Sequence, residues 1–304
     1  MMLPNIIIPG APKAGTTSIV SILNQHPDFF VSPKKEPRFF ISDEIINLSD
    51  KDPLKKFLSD TSVLNFDEYE AAYLTDSKFA IDASIQYLYY YKTTVPKIKA
   101  YLGDPYIIII LRNPVDRAVS NFMYTKKSEK CNSLVEAVKD ELAGNRDYLH
   151  SFYQNYKQGL YYEQVKTFKE NFTNVTVLFY EDFVNDNLSF VNSIFDTLGT
   201  SRLNKLKPVP KLNTSLGLSW TGRLLMKKYS PFRFVYKKVL PSFFDSSTYY
   251  NIKTNLKARF SKKSSDATDL LSNDDRQFLT DLYKEDVKKL MEFLNITKSP
   301  WIGF

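Results

Sequence analysis

The chain has 304 residues, 43% of them hydrophobic, with a formal net charge of +7 and a sequence pI near 9.1. That is ample material for one large core, and the positive balance suits anionic ligands without dictating a fold. A single cysteine, Cys131, excludes an intrachain disulfide, and with only His26 and His150 beside it no zinc set can be assembled.

The first residues, Met1-Met2-Leu3-Pro4-Asn5, lack the basic stretch of a signal peptide, and no run approaches the roughly 20 apolar residues of a membrane helix. A soluble, cytoplasmic protein with no nucleic-acid partner and no integral membrane segment is expected. Triplets such as Asn171-Phe172-Thr173 then read as by-products of an Asn-rich composition. Aromatic residues make up 15%, and core packing is their main reading, with a ring-stacking cleft as the alternative.

In chain order, the apolar run Asn5-Ile6-Ile7-Ile8 reads as a buried strand. Gly10-Ala11-Pro12-Lys13-Ala14-Gly15-Thr16-Thr17-Ser18 follows as a short turn, and a helix runs from Thr17 to Asn24. Backbone N–H groups at such a helix start point at whatever sits in the turn, which should be a phosphate or a sulfate. A nucleoside-triphosphate P-loop places its lysine after the second glycine, whereas here Lys13 lies inside the turn and Thr16 follows Gly15.

Phe29-Phe30-Val31 is a second strand, leading into Ser32-Pro33-Lys34-Lys35-Glu36-Pro37-Arg38-Phe39-Phe40, where a carboxylate stands between cations and a Phe pair. Residues 78–82 read as a third strand and 87–102 as a helix. Tyr106-Ile107-Ile108-Ile109-Ile110-Leu111 is continuously apolar, as in a parallel strand covered on both faces. It runs into Arg112-Asn113-Pro114, where Pro114 suits the first turn of a helix. Ser120 then lies about two helical turns beyond Arg112, and both could meet a ligand at the carboxyl edge of the sheet. Helical spacing makes Arg117 a structural ion-pair residue. Helical stretches continue to about Glu170, residues 174–179 form a further strand, and Tyr180-Glu181-Asp182-Phe183 opens another helix.

Residues 201–265 are basic, contain Pro and Ser and are weakly periodic, which fits either a lid or acceptor-binding insertion or a plain surface excursion. Asn273 can cap a terminal helix through Leu294 whose face carries Phe278, Leu282, Tyr283, Val287, Leu290, Met291 and Leu294. Strands spaced by helices predict a parallel sheet with right-handed crossovers. The strand at 106–111 ends in an arginine, where a metal-dependent ATPase would place a carboxylate for magnesium.

Pro12-Lys13-x-Gly15-Thr16-Thr17 resembles the 5′-phosphosulfate loop of the sulfotransferases that use 3′-phosphoadenosine 5′-phosphosulfate (PAPS), and Arg112-x-Pro114-x-x-Arg117-x-x-Ser120 is similar to their 3′-phosphate segment. The resemblance spans nearly the whole chain, since Ser299-Pro300-Trp301 also looks like the end of bacterial members. It implies a single P-loop-like, three-layer α/β/α domain over residues 1–304, with a central parallel sheet and a helical C-terminal region. It also implies that Lys13, Ala14, Gly15, Thr16, Thr17 and Ser18 bind the 5′ end of the cofactor, and Arg112 and Ser120 the 3′-phosphate. Tyr180 matches a tyrosine near the adenine, or is a packing residue. Lys211, Asn213 and Ser215 resemble a late segment that closes over the 3′-phosphate.

Lys35-Glu36-x-x-Phe39-Phe40 resembles a segment of the heparan sulfate sulfotransferases and their bacterial relatives whose glutamate is the proposed general base. Glu36 and Lys13 are thereby the candidate catalytic residues, and Lys35, Phe39, Asp82 and Ser84 the candidate acceptor contacts. Ala83 and Ile85 stand where that group has a lysine and a proline. His26 reads as a helix-end packing residue, and His150 as part of a polar helical stretch. The implied activity is metal-independent transfer of the sulfuryl group of PAPS to a hydroxyl, on a saccharide or on a lipophilic alcohol, leaving 3′-phosphoadenosine 5′-phosphate (PAP). Outside that class, a nucleotide kinase or a non-catalytic nucleotide-binding module would share the loop.

Overall fold

The computed structural model describes residues 3–34, 36–126, 128, 131–207, 217–218, 261–262 and 271–304. The chain divides into two compact units, Met1–Leu206 with Leu270–Phe304, and Lys207–Asp269. In the second unit the described residues form two short antiparallel strands, Gly217–Leu218 and Ser261–Lys262. The expected insertion at 201–265 falls for most of its length outside the described residues.

The first unit is built on five parallel strands: β1 (Ile6–Ile7), β2 (Phe29–Val31), β3 (Phe79–Asp82), β4 (Tyr106–Leu111) and β5 (Val175–Phe179). Their order across the sheet is β2-β3-β1-β4-β5. Ile107, Ile109, Ile110 and Leu111 are wholly inaccessible to solvent, which is why the central strand has no polar alternation. The chain leaves β1 toward β2 on one side and leaves β4 toward β5 on the other. Such a reversal opens a crevice at the carboxyl ends of the two neighbouring strands. This is the expected α/β architecture with a central parallel sheet and flanking helices.

Helix α1 (Thr16–Leu23) buries Ile19, Val20, Ile22 and Leu23. The stretch expected to be helical from residue 87 becomes regular only at Tyr91, where the helix Tyr91–Leu102 begins. Tyr87 is drawn into the core instead, and the Leu88 N–H donates to the carbonyl of Pro9 at 2.8 Å, tying this turn to the loop after β1. Much of the aromatic excess is core: the Phe39 ring stacks on Tyr69 at 4.9 Å, and Phe40 meets Tyr87 at 5.4 Å.

The terminal helix, Asn273–Phe293, lies against the helices Pro114–Thr125 and Tyr161–Asn171. Ser272, one residue before the expected cap, accepts the hydrogen bond from the Asp275 N–H. The buried face runs through Leu279, Tyr283, Val287, Leu290 and Met291, while Phe278, Leu282 and Leu294 sit half-buried at its flanks. Arg117 is fully buried, and no carboxylate among the described residues lies within ion-pair distance of it. Its guanidinium donates instead to Gln158 Oε1 at 3.1 Å and to the carbonyl of Asn155. The expected ion pair is thus a set of hydrogen bonds to neutral acceptors, because an irregular chain segment crosses the helix face there.

Gly159 marks where that segment meets the terminal helix. A Cβ at this position would fall 2.8 Å from Cε1 of Tyr283. The ring has little freedom to withdraw, since it is fully buried and its hydroxyl donates to the Asn155 carbonyl at 3.1 Å. Gly159→Ala is therefore expected to destabilise the fold by about 1–3 kcal/mol. Urea denaturation measures this, and an unchanged midpoint would show that the Tyr283 ring can yield.

Candidate functional site

The loop after β1 continues past the end of the strand along β4. The Ala11 N–H donates to the Ile110 carbonyl at 2.6 Å, and the Ile110 N–H donates to the Gly10 carbonyl at 2.9 Å. This places the turn at Lys13 next to Arg112, whose Nη1 donates to the Lys13 carbonyl at 3.0 Å. Lys13 adopts φ 71° and Gly15 φ 72°, so the backbone winds left-handed twice before the helix starts. Gly15 is the N-cap of α1; no side chain caps this terminus, and no acidic residue stands in its first turn. The positive end of the helix therefore has no carboxylate in its own first turn. Ala14, Thr16 and Thr17 are buried and Ser18 half-buried along the same turn.

Tyr180 directly follows β5, and β5 pairs with β4 so that Phe179 stands opposite Leu111. Its ring lies 4.9 Å from the Arg112 guanidinium carbon. The same ring presses on Gly15, where an added Cβ would come within 2.5 Å of Cε2. Gly15 is needed for two reasons, the positive φ and the close approach of Tyr180. Arg112 is thus held through Nη1 and by the Tyr180 ring over its guanidinium carbon, and at its backbone the Tyr161 hydroxyl donates to its carbonyl at 3.0 Å.

Helix Pro114–Thr125 starts immediately beyond, capped by Asn113, whose Oδ1 accepts from the N–H groups of Val115 and Asp116. Ser120 is half-buried on this helix, and its hydroxyl makes no hydrogen bond among the described residues. Four residues later, on the same helix face, Tyr124 is 65% exposed with its ring centroid 4.4 Å from Lys13 Nζ. Sequence reasoning missed Tyr124, although its spacing from Ser120 pointed to it. It also missed Glu181, whose carboxylate accepts from the Asn113 N–H at 2.9 Å and from Trp301 Nε1 at 3.0 Å. That pair of bonds ties the Arg112 corner to the end of the chain, and no local pattern announces it.

Glu36 follows β2, two strands from β1 on the same carboxyl edge of the sheet. Its side chain is 14% exposed, and Oε2 accepts from Arg38 Nη2 at 2.8 Å. Arg38 has φ 58°, and its N–H donates to Ser84 Oγ at 2.9 Å. Of the candidate acceptor contacts, Lys35 lies outside the described residues, and Phe39, Asp82 and Ser84 are at most 7% exposed. Asp82 and Ser84 have no exposed surface and Phe39 has little, and Ser84 bonds the segment that carries Glu36. Lys211, Asn213 and Ser215 also lie outside the described residues.

Both histidines are buried. His26 is 3% exposed at the end of α1, accepting from the Asp28 N–H and touching the Phe29 and Phe195 rings. His150 is not in a helical stretch but caps the short turn Ser151–Tyr153, fully buried. Burial, with Arg38 nearby, pushes its pKa down to about 3, so it is neutral.

The chain matches known proteins over most of its length. Residues 4–204 match the sulfotransferase family. A solved sulfotransferase from Alicyclobacillus acidocaldarius is 25% identical, with 99% of each chain covered and a TM-score of 0.69. A mouse sulfotransferase complexed with PAP is 14% identical over 96% of this chain and 88% of that one, with a TM-score of 0.52, a likeness of fold. A search of curated proteins found no match.

The contact between Gly15 and Tyr180 generates a direct test. Gly15→Ala forces the Tyr180 ring off the loop and disturbs the Arg112 stack, a clash on the scale of 1–3 kcal/mol. Affinity for PAP, measured by calorimetry, is expected to fall roughly tenfold. An unchanged affinity would separate the Tyr180 contact from the anion site.

Proposed function

The chain belongs to the sulfotransferase family, and from that premise we propose that it transfers the sulfuryl group of PAPS to a hydroxyl of a saccharide, with Glu36 as general base. The observation that carries the reading is the union of an uncapped helix start with two cations, Lys13 and Arg112, at the carboxyl ends of β1 and β4. Such a donor set suits a ligand with two anionic ends. Arg112 and Ser120 would hold the 3′-phosphate, and Lys13 with the N–H groups at Gly15, Thr16 and Thr17 the phosphosulfate. PAPS supplies a sulfuryl group attached to a good leaving phosphate.

Glu36 takes the proton of the attacking hydroxyl, a contribution typically worth about 10²–10⁴-fold. Lys13 and the helix N–H groups stabilise negative charge as it grows on the departing phosphate, and preorganised groups of this kind often make the largest single contribution. The Tyr180 ring lies against the Arg112 guanidinium, whose Nη1 bonds the loop at Lys13. The burial of both histidines supports assigning the base to a carboxylate. A second reading, with a lipophilic alcohol as acceptor, is favoured by Ala83, which is buried where the heparan-type enzymes carry a lysine, and by the exposed Tyr124 ring.

Radiolabelled PAPS offered with octyl β-glucoside, cellobiose and 1-decanol tests the acceptor class. Transfer to decanol but to neither saccharide would select the second reading. PAP is expected to bind more tightly than AMP by about 1.5–3 kcal/mol, since AMP lacks the phosphate that Arg112 and Ser120 address. Equal affinities by calorimetry would remove that assignment.

Variants separate binding from chemistry. Glu36→Gln keeps the shape of the side chain but loses the proton acceptor, so turnover should fall roughly 10²-fold or more with PAP affinity unchanged. Lys13→Ala should lower both affinity and turnover, because its charge acts in the bound state and more strongly as the phosphate departs. Turnover of Glu36→Gln within about twofold of the parent would exclude Glu36 as the base.

A further inference from the structure

The turn after β3 holds a buried carboxylate with no cation within ion-pair distance among the described residues. Asp82, the last residue of β3, has no exposed surface. Its Oδ1 accepts from the Ser84 N–H at 2.9 Å and the Ser84 hydroxyl at 2.6 Å. Its Oδ2 accepts from the hydroxyls of Tyr69 at 2.9 Å and Tyr87 at 3.0 Å. Burial pushes its pKa up, while these donors pull it down.

The direction of these bonds has a consequence further along the chain. A hydroxyl owns one hydrogen, and once Ser84 and Tyr87 give theirs to Asp82, their oxygens can only accept. Both do so from the segment that carries Glu36: the Arg38 N–H donates to Ser84 Oγ at 2.9 Å, and the Phe40 N–H donates to the Tyr87 hydroxyl at 3.3 Å. The first bond holds Arg38 in its left-handed conformation, φ 58°. Arg38 in turn donates through Nη2 to Glu36 Oε2.

We propose that Asp82 is a positioning residue for Glu36: its carboxylate fixes the polarity of the Ser84 and Tyr87 hydroxyls, these fix the backbone at Arg38 and Phe40, and Arg38 aims the Glu36 carboxylate. The inference rests on Glu36 being the base, and it gives Asp82 and Ser84 a role other than contact with the acceptor. A carboxylate is required because all four incoming bonds are donors. An amide at this position would present an N–H₂ to one of the two hydroxyl sets and turn it round.

A double-mutant cycle between Ser84→Ala and Glu36→Gln tests the chain of contacts. Turnover is read from radiolabelled PAPS with octyl β-glucoside as acceptor and, as a second readout, from release of PAP with water alone. PAP affinity is read by calorimetry. Ser84→Ala is expected to lower turnover roughly tenfold while PAP affinity stays within about twofold. In the Glu36→Gln background the same change should have no further effect on turnover, because Ser84 acts only through the carboxylate already lost.

Fold-losses that multiply in the double variant would overturn the proposal while leaving Glu36 as the base. So would full turnover in Ser84→Ala, or a loss of PAP affinity alongside turnover, which marks a general structural role. Failure of the base assignment is read separately, from the Glu36→Gln single variant. Should Ser84→Ala not fold, Tyr87→Phe enters the same cycle, since it removes the second hydroxyl between Asp82 and the Phe40 N–H; the same non-additive loss is expected, and an additive one overturns the proposal.

Discussion

The alignment of the β1 loop with β4 is the constraint on which the site depends. Parallel strands end on one edge, and here the backbone bonds between Ala11 and Ile110 and between Ile110 and Gly10 extend the pairing beyond β1 itself. The loop is therefore brought alongside Arg112. One hydrogen bond from the Arg112 guanidinium to the Lys13 carbonyl then joins the two halves of the site. Tyr180 completes the arrangement because β5 pairs with β4 in a register that delivers the next residue onto Gly15. Side chains fixed in this way need little reorganisation when charge develops, which is what makes electrostatic stabilisation effective.

A second feature of the molecule is how much of its interior is polar, and the reason lies in the irregular chain between residues 146 and 160. Backbone groups outside a helix or a sheet still require partners when buried. Here side chains from the surrounding elements provide them. Arg117 takes the Asn155 carbonyl, Asn121 the Phe152 carbonyl and Gln154 the carbonyls of Arg146 and Leu149. Glu141 accepts from the N–H groups of Tyr156 and Lys157, and although burial raises its pKa these donors oppose the shift. The polar core thus replaces a missing ladder of backbone bonds, and it seats the helix that carries Ser120 and Tyr124.

The same principle operates on the Glu36 side, at smaller scale. The N–H groups of Arg38, just before the short helical turn Phe39–Ile41, and of Phe40 within it are met by Ser84 and Tyr87 from the turn after β3. Two sites that look separate along the chain are therefore built in one way: a strand end delivers the chemical group, and a neighbouring strand end delivers the side chain that holds it.

Much of this was legible from local pattern. The unbroken apolar run at Tyr106–Leu111, the glycine-containing turn before Thr16 and Pro114 after Asn113 each restrict the backbone within a few residues, so periodicity and turn chemistry read them correctly. They determined a parallel α/β sheet and a turn beside an arginine. Pairings between distant polar groups were not legible: Arg117 found carbonyls in place of a carboxylate, Glu181 found Asn113 and Trp301, and Asp82 turned out to be enclosed by Ser84 and two tyrosines. Local pattern expresses short-range dihedral and burial preferences, which the sequence alone specifies. Which hydrogen-bond donor meets which acceptor is decided by the order of strands in the sheet, and only the tertiary structure sets that order.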